Sequence, residues 1–428
     1  MDLQPETLAL HAGQNPDPVT GARATPIYQT TSYVFRDSEH AANLFGLKEF
    51  GNIYTRLMNP TTDVLEKRIA ALEGGTAALA TSSGMAAIFL AIQNLATQGD
   101  HLISSASLYG GTETLFRHTL PKFGIATTFI AELTPATLKN AVKENTRAIY
   151  LETIGNPKGD VSDLAEITKT ARELNLPVIV DNTFAPLLCQ PIKFGANIVI
   201  HSLTKWIGGH GTSIGGVIVD GGNFDWSHQP EFVAPDASYG GLKYVDLQTA
   251  FPELGNLAFA LKARLQGMRN LGMCPSPQNS FYHLQGIETL PLRIKQHCAN
   301  ALALASWLKT QPQVAWVNYT GLPEHPYHAK AQKYLTGGFG SVLSFGLKGG
   351  KAAGEKFINS VQLASHLANV GDAKTLVLHP ASTSHSQLTP AALAQAGVTP
   401  ETIRVSVGLE KIEDIQADFI QALKKTEQ

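Results

Sequence analysis

The chain has 428 residues, of which 43% are hydrophobic and 16% are charged, so it holds enough apolar side chains for a sizeable core and too little charge for disorder. The formal net charge is −2 and no Lys/Arg-rich run occurs, which argues against a nucleic-acid partner. Three cysteines without CxxC spacing argue against a disulfide framework and a zinc site. Because there is no apolar leader and no apolar run of about 18 residues, we expect a cytoplasmic protein that does not cross a membrane.

The first 60 residues differ in composition from the rest of the chain. Residues 1–60 are rich in Pro, Thr, Gly and Asn, which predicts an extended arm with little regular structure. A long irregular segment of a compact protein is usually functional or packed on a partner. After the arm, apolar residues at helical spacing predict a helix over 62–72. A second helix is predicted to follow the small-residue turn Thr81-Ser82-Ser83-Gly84 and to end at Gly99.

Strands and helices then alternate along the chain. Short apolar runs at 148–151, 177–180 and 197–200 predict buried strands, and apolar spacing over 164–174 predicts a helix between the first two. Continuous Val/Ile strands separated by amphipathic helices are typical of a parallel sheet with helices on both faces. The sequence therefore predicts an α/β fold.

The second half of the chain begins with an irregular stretch. Residues 220–250 combine Gly, Asp, Trp, Pro and Tyr without a clear period, and we interpret them as an inserted loop. Beyond residue 255 the pattern predicts helices over 257–271, 292–309 and 411–425, and short strands near 341–345 and 403–407. We therefore predict three parts, which are an arm, a large sheet domain and a smaller C-terminal α/β domain, over 1–60, 61–255 and 256–428.

Polar side chains follow three of the predicted strands. Asn156 comes after the strand at 148–151, and Asp181 ends the next strand. Ser202, Thr204 and Lys205 follow the third. Ligands of such sheets bind outside the carboxyl ends of the strands. We therefore expect these side chains to converge on one crevice.

Lys205 and Asp181 are informative as a pair. Alone, a strand-end lysine more often extends to water, and a strand-end carboxylate more often caps a turn. Lys205, however, lies among apolar and glycine residues, where desolvation favours the neutral, nucleophilic amine. A pyridoxal-phosphate (PLP) enzyme needs a lysine for the cofactor aldehyde and an acid against its pyridine nitrogen. The two residues lie 24 positions apart, one strand-helix-strand step, so we expect them at adjacent strand ends.

An anion site is predicted where the second helix begins. Ser83, Gly84 and Met85 open this helix, and the free N–H groups and positive dipole end of a helix suit a phosphate. An ordinary N-cap serine explains the same residues without a ligand. No GxGxxG follows the first strand and no HExxH occurs, so neither a dinucleotide site nor a metal site is supported.

Taken together, the motifs resemble the Cys/Met-metabolism family of PLP-dependent enzymes over nearly the whole chain. In chain order they are Tyr54-Thr55-Arg56, Asn59-Pro60-Thr61, Ser82-Ser83-Gly84-Met85, Tyr109-Gly110-Gly111-Thr112, Glu152-Thr153, Asn156-Pro157, Val180-Asp181-Asn182-Thr183, Ser202-Leu203-Thr204-Lys205 and His379-Pro380-Ala381-Ser382. Each motif is weak alone, and their order makes the resemblance specific. The resemblance implies PLP as the cofactor and the PLP-dependent transferase fold type I (aspartate aminotransferase-like), with residues 61–255 as the PLP-binding domain.

The resemblance implies roles for the residues around the cofactor. Lys205 is expected to hold PLP as a Schiff base and to shuttle protons. Asp181 is expected to pair with the pyridine nitrogen, and Tyr109 to stack on the ring and assist at the leaving group. The remaining cofactor contacts are implied for the phosphate (Ser83, Gly84, Met85, Ser202 and Thr204) and for the phenolic oxygen (Asn156).

The resemblance also implies how substrate and a second subunit are bound. Arg404 is expected to bind the substrate carboxylate in bidentate fashion, beside Asn369, where many relatives have a serine. Tyr54 and Tyr109 are expected to contact the substrate as well. Tyr54 and Arg56 are further expected to reach the phosphate of the neighbouring subunit. This arrangement implies a homotetramer built as a dimer of dimers.

Within the family, the chain resembles most the O-acetylhomoserine sulfhydrylases, through the insert at 221–244 and the segment at 285–293. This implies γ-replacement on O-acetyl-L-homoserine by sulfide, giving L-homocysteine and acetate in methionine biosynthesis. Cystathionine γ-synthase and methionine γ-lyase activities are the alternatives, although methionine γ-lyases carry a cysteine at the position of Gly111. A non-catalytic α/β binding protein is the alternative outside enzymes. The acyl group (acetyl or succinyl) and the sulfur donor (sulfide, another thiol or a carrier protein) stay open.

Overall fold

A computed structural model describes residues 3–155, 158–383 and 398–427. A large sheet has the strand order β1-β7-β6-β5-β4-β2-β3, and a small sheet has the order β10-β11-β12-β9-β8. The strands of the large sheet, β1 to β7, are Ala77–Thr81, His101–Ser105, Ala126–Ile130, Thr146–Glu152, Val178–Asp181, Ile198–Ser202 and Gly216–Asp220. Those of the small sheet, β8 to β12, are Val314–Asn318, Val342–Leu347, Ser365–His366, Leu376–Leu378 and Thr402–Ser406.

Helices connect and cover the strands. The α-helices of the described residues, α1 to α14, are Pro5–His11, Ser38–Phe45, Pro60–Glu73, Gly84–Gln93, Gly110–Thr114, Pro135–Ala141, Leu164–Glu173, Pro230–Val233, Ala258–Lys262, Arg269–Leu271, Pro277–Leu308, His328–Tyr334, Gly350–Ile358 and Ile412–Thr426. Leu115–Thr119 and Ala263–Met268 are π-helical, and 3₁₀ turns are Leu120–Phe123, Pro191–Phe194, Trp226–His228, Ala237–Tyr239, Tyr244–Gln248 and Pro380–Ser382. Across 3–155, 158–383 and 398–427, every helix is too short or too polar to cross a membrane.

The large sheet is buried on both faces, as the Val/Ile-rich strands predicted. In β6, Val199 belongs to one apolar cluster, whereas Ile198 and Ile200 belong to a second cluster on the opposite face. This separation follows from the two-residue side-chain period of a strand. The α/β prediction is confirmed, although the sequence predicted only β4, β5 and β6 of this sheet and missed β1, β2, β3 and β7. Strand β7, which the sequence did not reveal, is antiparallel to β1 and to β6, whereas the other strand pairs of this sheet are parallel.

Three neighbouring parallel strands end side by side in the large sheet. Strand β4 ends at Glu152, β5 at Asp181 and β6 at Ser202, and Glu152 is paired in register with Asp181. Asp181 is in turn paired with Ile200 near the end of β6. The carboxyl ends of adjacent strands therefore present these side chains at one edge, where ligands of α/β sheets bind.

A long helix joins the two sheets. In α11, Leu284 and Ile294 pack in the cluster of the large sheet, whereas Leu304 and Leu308 pack with the small sheet. The sequence predicted only the second half of this helix, because Pro291 lies within it and a proline usually ends or kinks a helix. The predicted boundary between residues 255 and 256 stays a prediction. Phe259, just beyond it, still packs against the large sheet.

The arm is more regular than predicted. The expectation of little regular structure over 1–60 holds for most of the arm, but the 7-residue α1 and the 8-residue α2 lie within it. The Asp37 carboxylate caps α2 by accepting a hydrogen bond from the His40 N–H at 2.7 Å. Such a cap stabilises a short helix by about 1 kcal/mol. The proposed contact of the arm with a neighbouring subunit stays a prediction.

Asp220 ties the start of the predicted insert, and helix α9 that follows the insert, to the end of β7. Asp220 is the last residue of β7. Its carboxylate accepts hydrogen bonds from the Gly222 N–H at 2.9 Å and from the Ala260 N–H at 3.1 Å. The side chain is buried, and this burial raises the pKa of Asp220 from 3.8 to about 7. The ionised carboxylate therefore carries a desolvation cost at neutral pH that the two N–H donors only partly offset.

We expect Asp220→Asn to gain stability relative to the parent as pH rises from 5 to 7. The folded-state pKa lies above that of the unfolded chain, so the contribution of Asp220 is full below pH 4 and is lost through about pH 7. The relative gain should approach about 1.4 kcal/mol per pH unit. Urea unfolding of both proteins at pH 5, 6, 7 and 8 measures it, with Asp246→Asn as the control for removing an exposed carboxylate. A difference that stays constant with pH would contradict the assignment.

Candidate active site

A cavity of about 330 Å³ lies between the carboxyl ends of the large-sheet strands and the small sheet. Its wall combines most of the residues that the sequence singled out, from six separate stretches of chain. Those lining it are Ser83, Gly84, Met85, Tyr109, Asp181, Ser202, Thr204, Lys205, Asn369 and Arg404. The expected convergence on one crevice is observed for Asp181, Ser202, Thr204 and Lys205.

Lys205 lies in the turn that follows β6 and points into the cavity. Its Nζ donates a hydrogen bond to Asn369 Oδ1 at 2.5 Å. Burial, and then the positive charge of Arg404, lower the pKa of Lys205 from 10.5 to about 8. The neutral amine needed for attack on an aldehyde is thus accessible near neutral pH.

Asp181 ends β5, which is the neighbour of β6, the strand that Lys205 follows. This is the predicted arrangement. The Oδ1 atom of Asp181 accepts a hydrogen bond from the Thr183 N–H at 2.9 Å, and its Oδ2 accepts one from the Tyr150 hydroxyl at 3.2 Å. Burial raises the pKa of this carboxylate, and the donors from Thr183 counter that effect. The carboxylate is held rigidly at the cavity wall and would be stabilised further by a cationic partner there.

Helix α4 begins at the cavity. Ser83 caps it by accepting a hydrogen bond from the Ala86 N–H at 3.1 Å, and the first N–H groups of the helix have no helical acceptor. Gly84 lies against Ser202, so close that a Cβ on the glycine would come within 2.7 Å of the serine Cβ. Thr204 lies alongside, bonded to the Gly215 backbone. This crowding of small residues leaves backbone donors accessible, which suits a phosphate group.

Tyr109 is held by a buried acid that the sequence did not single out for the site. The Tyr109 N–H donates to Glu152 Oε1 at 2.6 Å, and burial together with the Asp181 charge raises the pKa of Glu152 well above its ordinary value. The Tyr109 ring is half exposed and lies beside Gly111, where an added Cβ would approach a ring carbon to 2.6 Å. Any larger residue at Gly111 would therefore displace the ring.

Arg404 reaches the cavity from the small sheet. It lies on β12, and its Nη2 donates to the Asn369 carbonyl oxygen at 3.4 Å. In the part of the chain that the structure describes, no carboxylate forms an ion pair with Arg404. Burial lowers the pKa of Arg404 below its ordinary value. A buried cation without a counter-ion at a cavity wall is suited to an anionic ligand.

Three predicted residues are not part of this wall. Asn156 lies outside the described residues. Arg56 donates a hydrogen bond to the Arg269 carbonyl oxygen, and its guanidinium lies 5.4 Å from the centre of the Tyr54 ring. Tyr54 and Arg56 thus lie away from the cavity of their own chain, and their contact with a neighbouring subunit stays a prediction.

Sequence reasoning also missed part of the wall. Glu152 and Thr183 line the cavity, and both belong to quoted motifs without having been given a role. Their position at or just after a strand end was the available signal. The remaining missed residues are apolar and come mainly from segments without a strand signal, namely Ile88, Ile154, Phe184, Ile214, Ala368, Val370 and Leu378.

The residues present fit PLP. The cavity offers an amine of lowered pKa, a buried carboxylate and a helix N-terminus, matching the aldehyde, the pyridine nitrogen and the phosphate of that cofactor. In addition, the half-exposed Tyr109 ring offers a face on which a planar cofactor ring can stack. Arg404 supplies a second positive charge in the cavity wall besides Lys205.

Known proteins of similar sequence and structure agree with this fit. The family described as Cys/Met metabolism PLP-dependent enzymes matches residues 6–424. The chain is 54% identical to O-acetyl-L-homoserine sulfhydrylase of Leptospira meyeri, covering 99% of this chain and 97% of the relative. It is 55% identical to O-acetyl-L-homoserine sulfhydrylase 1 of Thermus thermophilus, covering 98% and 99%.

A crystal structure of a Campylobacter jejuni protein described as an O-acetylhomoserine (thiol)-lyase has a TM-score of 0.94 with this chain, at 39% identity, covering 99% of this chain and 100% of the other. It carries N'-pyridoxyl-lysine-5'-monophosphate at its position 205. The predictions of fold type I and of PLP as the cofactor are thereby confirmed. The chain belongs to the Cys/Met-metabolism family of PLP-dependent enzymes.

Proposed function

We propose that this chain replaces the acetyl group of O-acetyl-L-homoserine with sulfide, giving L-homocysteine and acetate. The observation that carries the proposal is the single cavity in which Lys205, Asp181 and the start of α4 face Arg404. The two sulfhydrylase relatives, each matched over nearly the full length of both chains, supply the reaction type. A cytoplasmic location is proposed with it, because the relatives are named for a step of amino-acid synthesis.

Lys205 and Asp181 are proposed as the central residues. When bound, PLP supplies an electron sink for charge that develops on the α-carbon of an amino acid. Lys205 would hold the cofactor aldehyde through Nζ and, once released, would remove and return protons near the α-carbon. Asp181 would keep a proton on the pyridine nitrogen, and ionisation of this buried acid is favoured by that cationic partner. Position 205 of the Campylobacter protein, which carries a pyridoxyl-lysine, supports this assignment.

The phosphate would be held where α4 begins. Gly84 and Met85 would donate backbone N–H groups, and Ser83, Ser202 and Thr204 would contribute through the surrounding hydroxyls. The dipole of α4 adds a favourable interaction with an anion of about 0.3–1 kcal/mol or more. Asn156, outside the described residues, is proposed for the phenolic oxygen of the cofactor.

The substrate would be oriented between the two sheets. Arg404 would bind its carboxylate, and Asn369, whose backbone carbonyl already contacts Arg404, would lie beside it. Tyr109 would stack on the cofactor ring and contact the leaving group. Gly111 supports replacement over lyase activity, because the larger cysteine of methionine γ-lyases would displace the Tyr109 ring from the position it has here.

A second subunit is proposed to complete the site. Several large apolar side chains of the arm are exposed in the single chain, at 98% for Val34, 62% for Phe45 and 60% for Phe50. An exposed apolar group of this kind is typical of an interface. Docked on a neighbour, the arm would bring Tyr54 and Arg56 to the cofactor phosphate of the neighbouring subunit, and two such dimers would form the homotetramer.

Removal of residues 1–50 should then give a smaller particle that loses PLP, which gel filtration with absorbance detection would reveal.

The visible spectrum of purified protein, before and after borohydride, tests the cofactor assignment. A yellow band that borohydride abolishes, with the added mass on the Lys205 peptide, is expected. Colourless protein that does not take up added PLP would overturn the proposal.

Product analysis with O-acetyl-L-homoserine then tests the reaction. Sulfide-dependent homocysteine supports replacement, whereas ketobutyrate and ammonia without added nucleophile would assign a lyase. O-succinylhomoserine, cysteine and other thiols determine the acyl group and the sulfur donor.

A further inference from the structure

Two backbone carbonyl groups in the turn that carries Lys205 accept no hydrogen bond from within the turn. Within the turn, the Gly208 N–H donates to the Leu203 carbonyl oxygen at 2.8 Å and the Gly209 N–H to that of Lys205 at 2.7 Å. The carbonyl groups of Trp206 and Ile207, directly after the lysine, point instead toward α11. A buried carbonyl group needs a hydrogen-bond donor, so the geometry of this turn depends on what α11 supplies.

Arg293 supplies both donors. Its Nη1 donates to the Trp206 carbonyl oxygen at 2.7 Å and its Nη2 to that of Ile207 at 3.2 Å. Nη2 also donates to the Gly286 carbonyl oxygen at 2.6 Å, and Nε donates to Thr289 Oγ1 at 3.1 Å. The side chain is only 6% exposed. One planar guanidinium therefore fixes two consecutive peptide groups of the turn relative to the helix.

The neighbouring residues of α11 are shaped for this contact. A Cβ on Gly286 would lie 2.4 Å from the Ile207 carbonyl oxygen and 2.5 Å from that of Gly208, so only glycine lets the helix approach the turn this closely. Gly286, Thr289 and Arg293 all belong to the segment 285–293 that the sequence singled out and that the proposed chemistry does not use. The segment acquires a role as the surface on which the Lys205 turn is built.

Burying a charged arginine is energetically unfavourable for a purely structural contact. Burial lowers the pKa of Arg293 to about 10, and in the described part of the chain no carboxylate forms an ion pair with it. An uncompensated buried cation costs several kcal/mol unless its donors are well satisfied. Arg147 is a useful contrast, because it is partly buried but pairs with Asp100 at 2.7 Å, away from the lysine turn and from the arm.

We propose that Arg293 is a positioning residue for Lys205, acting through the Trp206 and Ile207 carbonyl groups to set where the lysine Nζ lies in the cavity. The inference rests on the proposed function, in which Lys205 holds the cofactor and moves protons. Removing the Arg293 guanidinium should disturb the chemical steps of Lys205. Substrate binding by Arg404 should stay largely intact, because Arg404 lies on the small sheet.

The test compares Arg293→Met and Arg293→Lys with the control Arg147→Met, all assayed well below their melting temperatures. One readout is the rate at which added PLP becomes linked to Lys205 in apo-protein, trapped by borohydride and located by peptide mass. The other is kcat and KM of the reconstituted enzyme. A misplacement of about 1 Å can cost about 100-fold in rate, so Arg293→Met is expected to lower kcat by about 100-fold and to slow linkage. KM for the amino acid should stay within about twofold.

Arg147→Met is expected to lower the melting temperature while leaving kcat and the linkage rate within about twofold of the parent. Arg293→Lys should be intermediate, because a single ammonium cannot reproduce the planar contact with two carbonyl groups, and it carries the test if Arg293→Met does not fold. Equal kcat and linkage rates in the Arg293 and Arg147 variants would overturn this inference and leave the proposed function in place. Absence of linkage at Lys205 in the unmutated protein would overturn the proposed function and the inference together.

Discussion

Replacing Lys205 by alanine is expected to abolish turnover and to leave borohydride with no protein-bound PLP to trap. General acid–base catalysis by a positioned side chain contributes about 10²–10⁴-fold, and loss of covalent attachment adds to this, so a fall of at least about 10⁴-fold in kcat is expected. Lys205→Arg should be as inactive, because a guanidinium keeps the charge but offers no neutral amine. Steady-state assays and peptide mass spectrometry measure both effects.

Lys262 provides a matched control for this prediction. It is also buried, its pKa is likewise lowered to about 8, and its Nζ donates to the Asn94 carbonyl oxygen at 2.9 Å, away from the cavity. Lys262→Met should therefore reduce stability while preserving turnover. Normal turnover in Lys205→Ala, or equal loss in both variants, would contradict the role given to Lys205.

The pH dependence of cofactor attachment adds an independent check. Burial and the charge of Arg404 disfavour the ammonium form of Lys205, which lowers its pKa to about 8. The neutral amine, which attacks the aldehyde, is scarce below this pH and dominant above it. The linkage rate in apo-protein should thus rise with pH through about 8. A midpoint near 10.5 would indicate a solvent-exposed lysine.

The sequence predicted the centre of the site better than its periphery. Lys205 and Asp181 could be placed because strand ends follow directly from Val/Ile runs, and neighbouring parallel strands bring their carboxyl ends together. Arg404 lies on the small sheet and Asn369 in the loop between β10 and β11, and nothing in the local pattern indicates which residues of a distant segment face the lysine. Their assignment came from the family resemblance, and the structure brings them to the same cavity.

Contacts that depend on tertiary packing could not be predicted from local pattern. The antiparallel strand β7 is a short apolar run like its neighbours, and its direction depends on how the chain returns between β1 and β6. The acid Glu152 shows no sign in the sequence that it accepts the Tyr109 N–H, because the two residues are 43 positions apart. The contact of Arg293 with the Lys205 turn spans 87 positions and depends on the close approach that Gly286 permits.

Replacing Arg404 by methionine is expected to raise KM for O-acetyl-L-homoserine by about 100-fold, since removing one partner of a buried charged contact costs about 2–5 kcal/mol. PLP attachment should persist, because Lys205 and Asp181 remain. Arg147→Met is the control, since Arg147 pairs with Asp100 away from the cavity. An unchanged KM in Arg404→Met would remove Arg404 from the carboxylate role.

Two further measurements separate carboxylate binding by Arg404 from general damage to the site. A substrate analogue without a carboxylate should bind the parent and Arg404→Met equally weakly, so that the loss depends on the ligand group and on the arginine together. Removing the positive charge of Arg404 should also raise the pKa of Lys205, because that charge is one of the two causes that lower it. The pH midpoint for PLP linkage should therefore move upward in Arg404→Met. If the midpoint stayed in place while KM rose, Arg404 would contact the substrate without influencing the lysine.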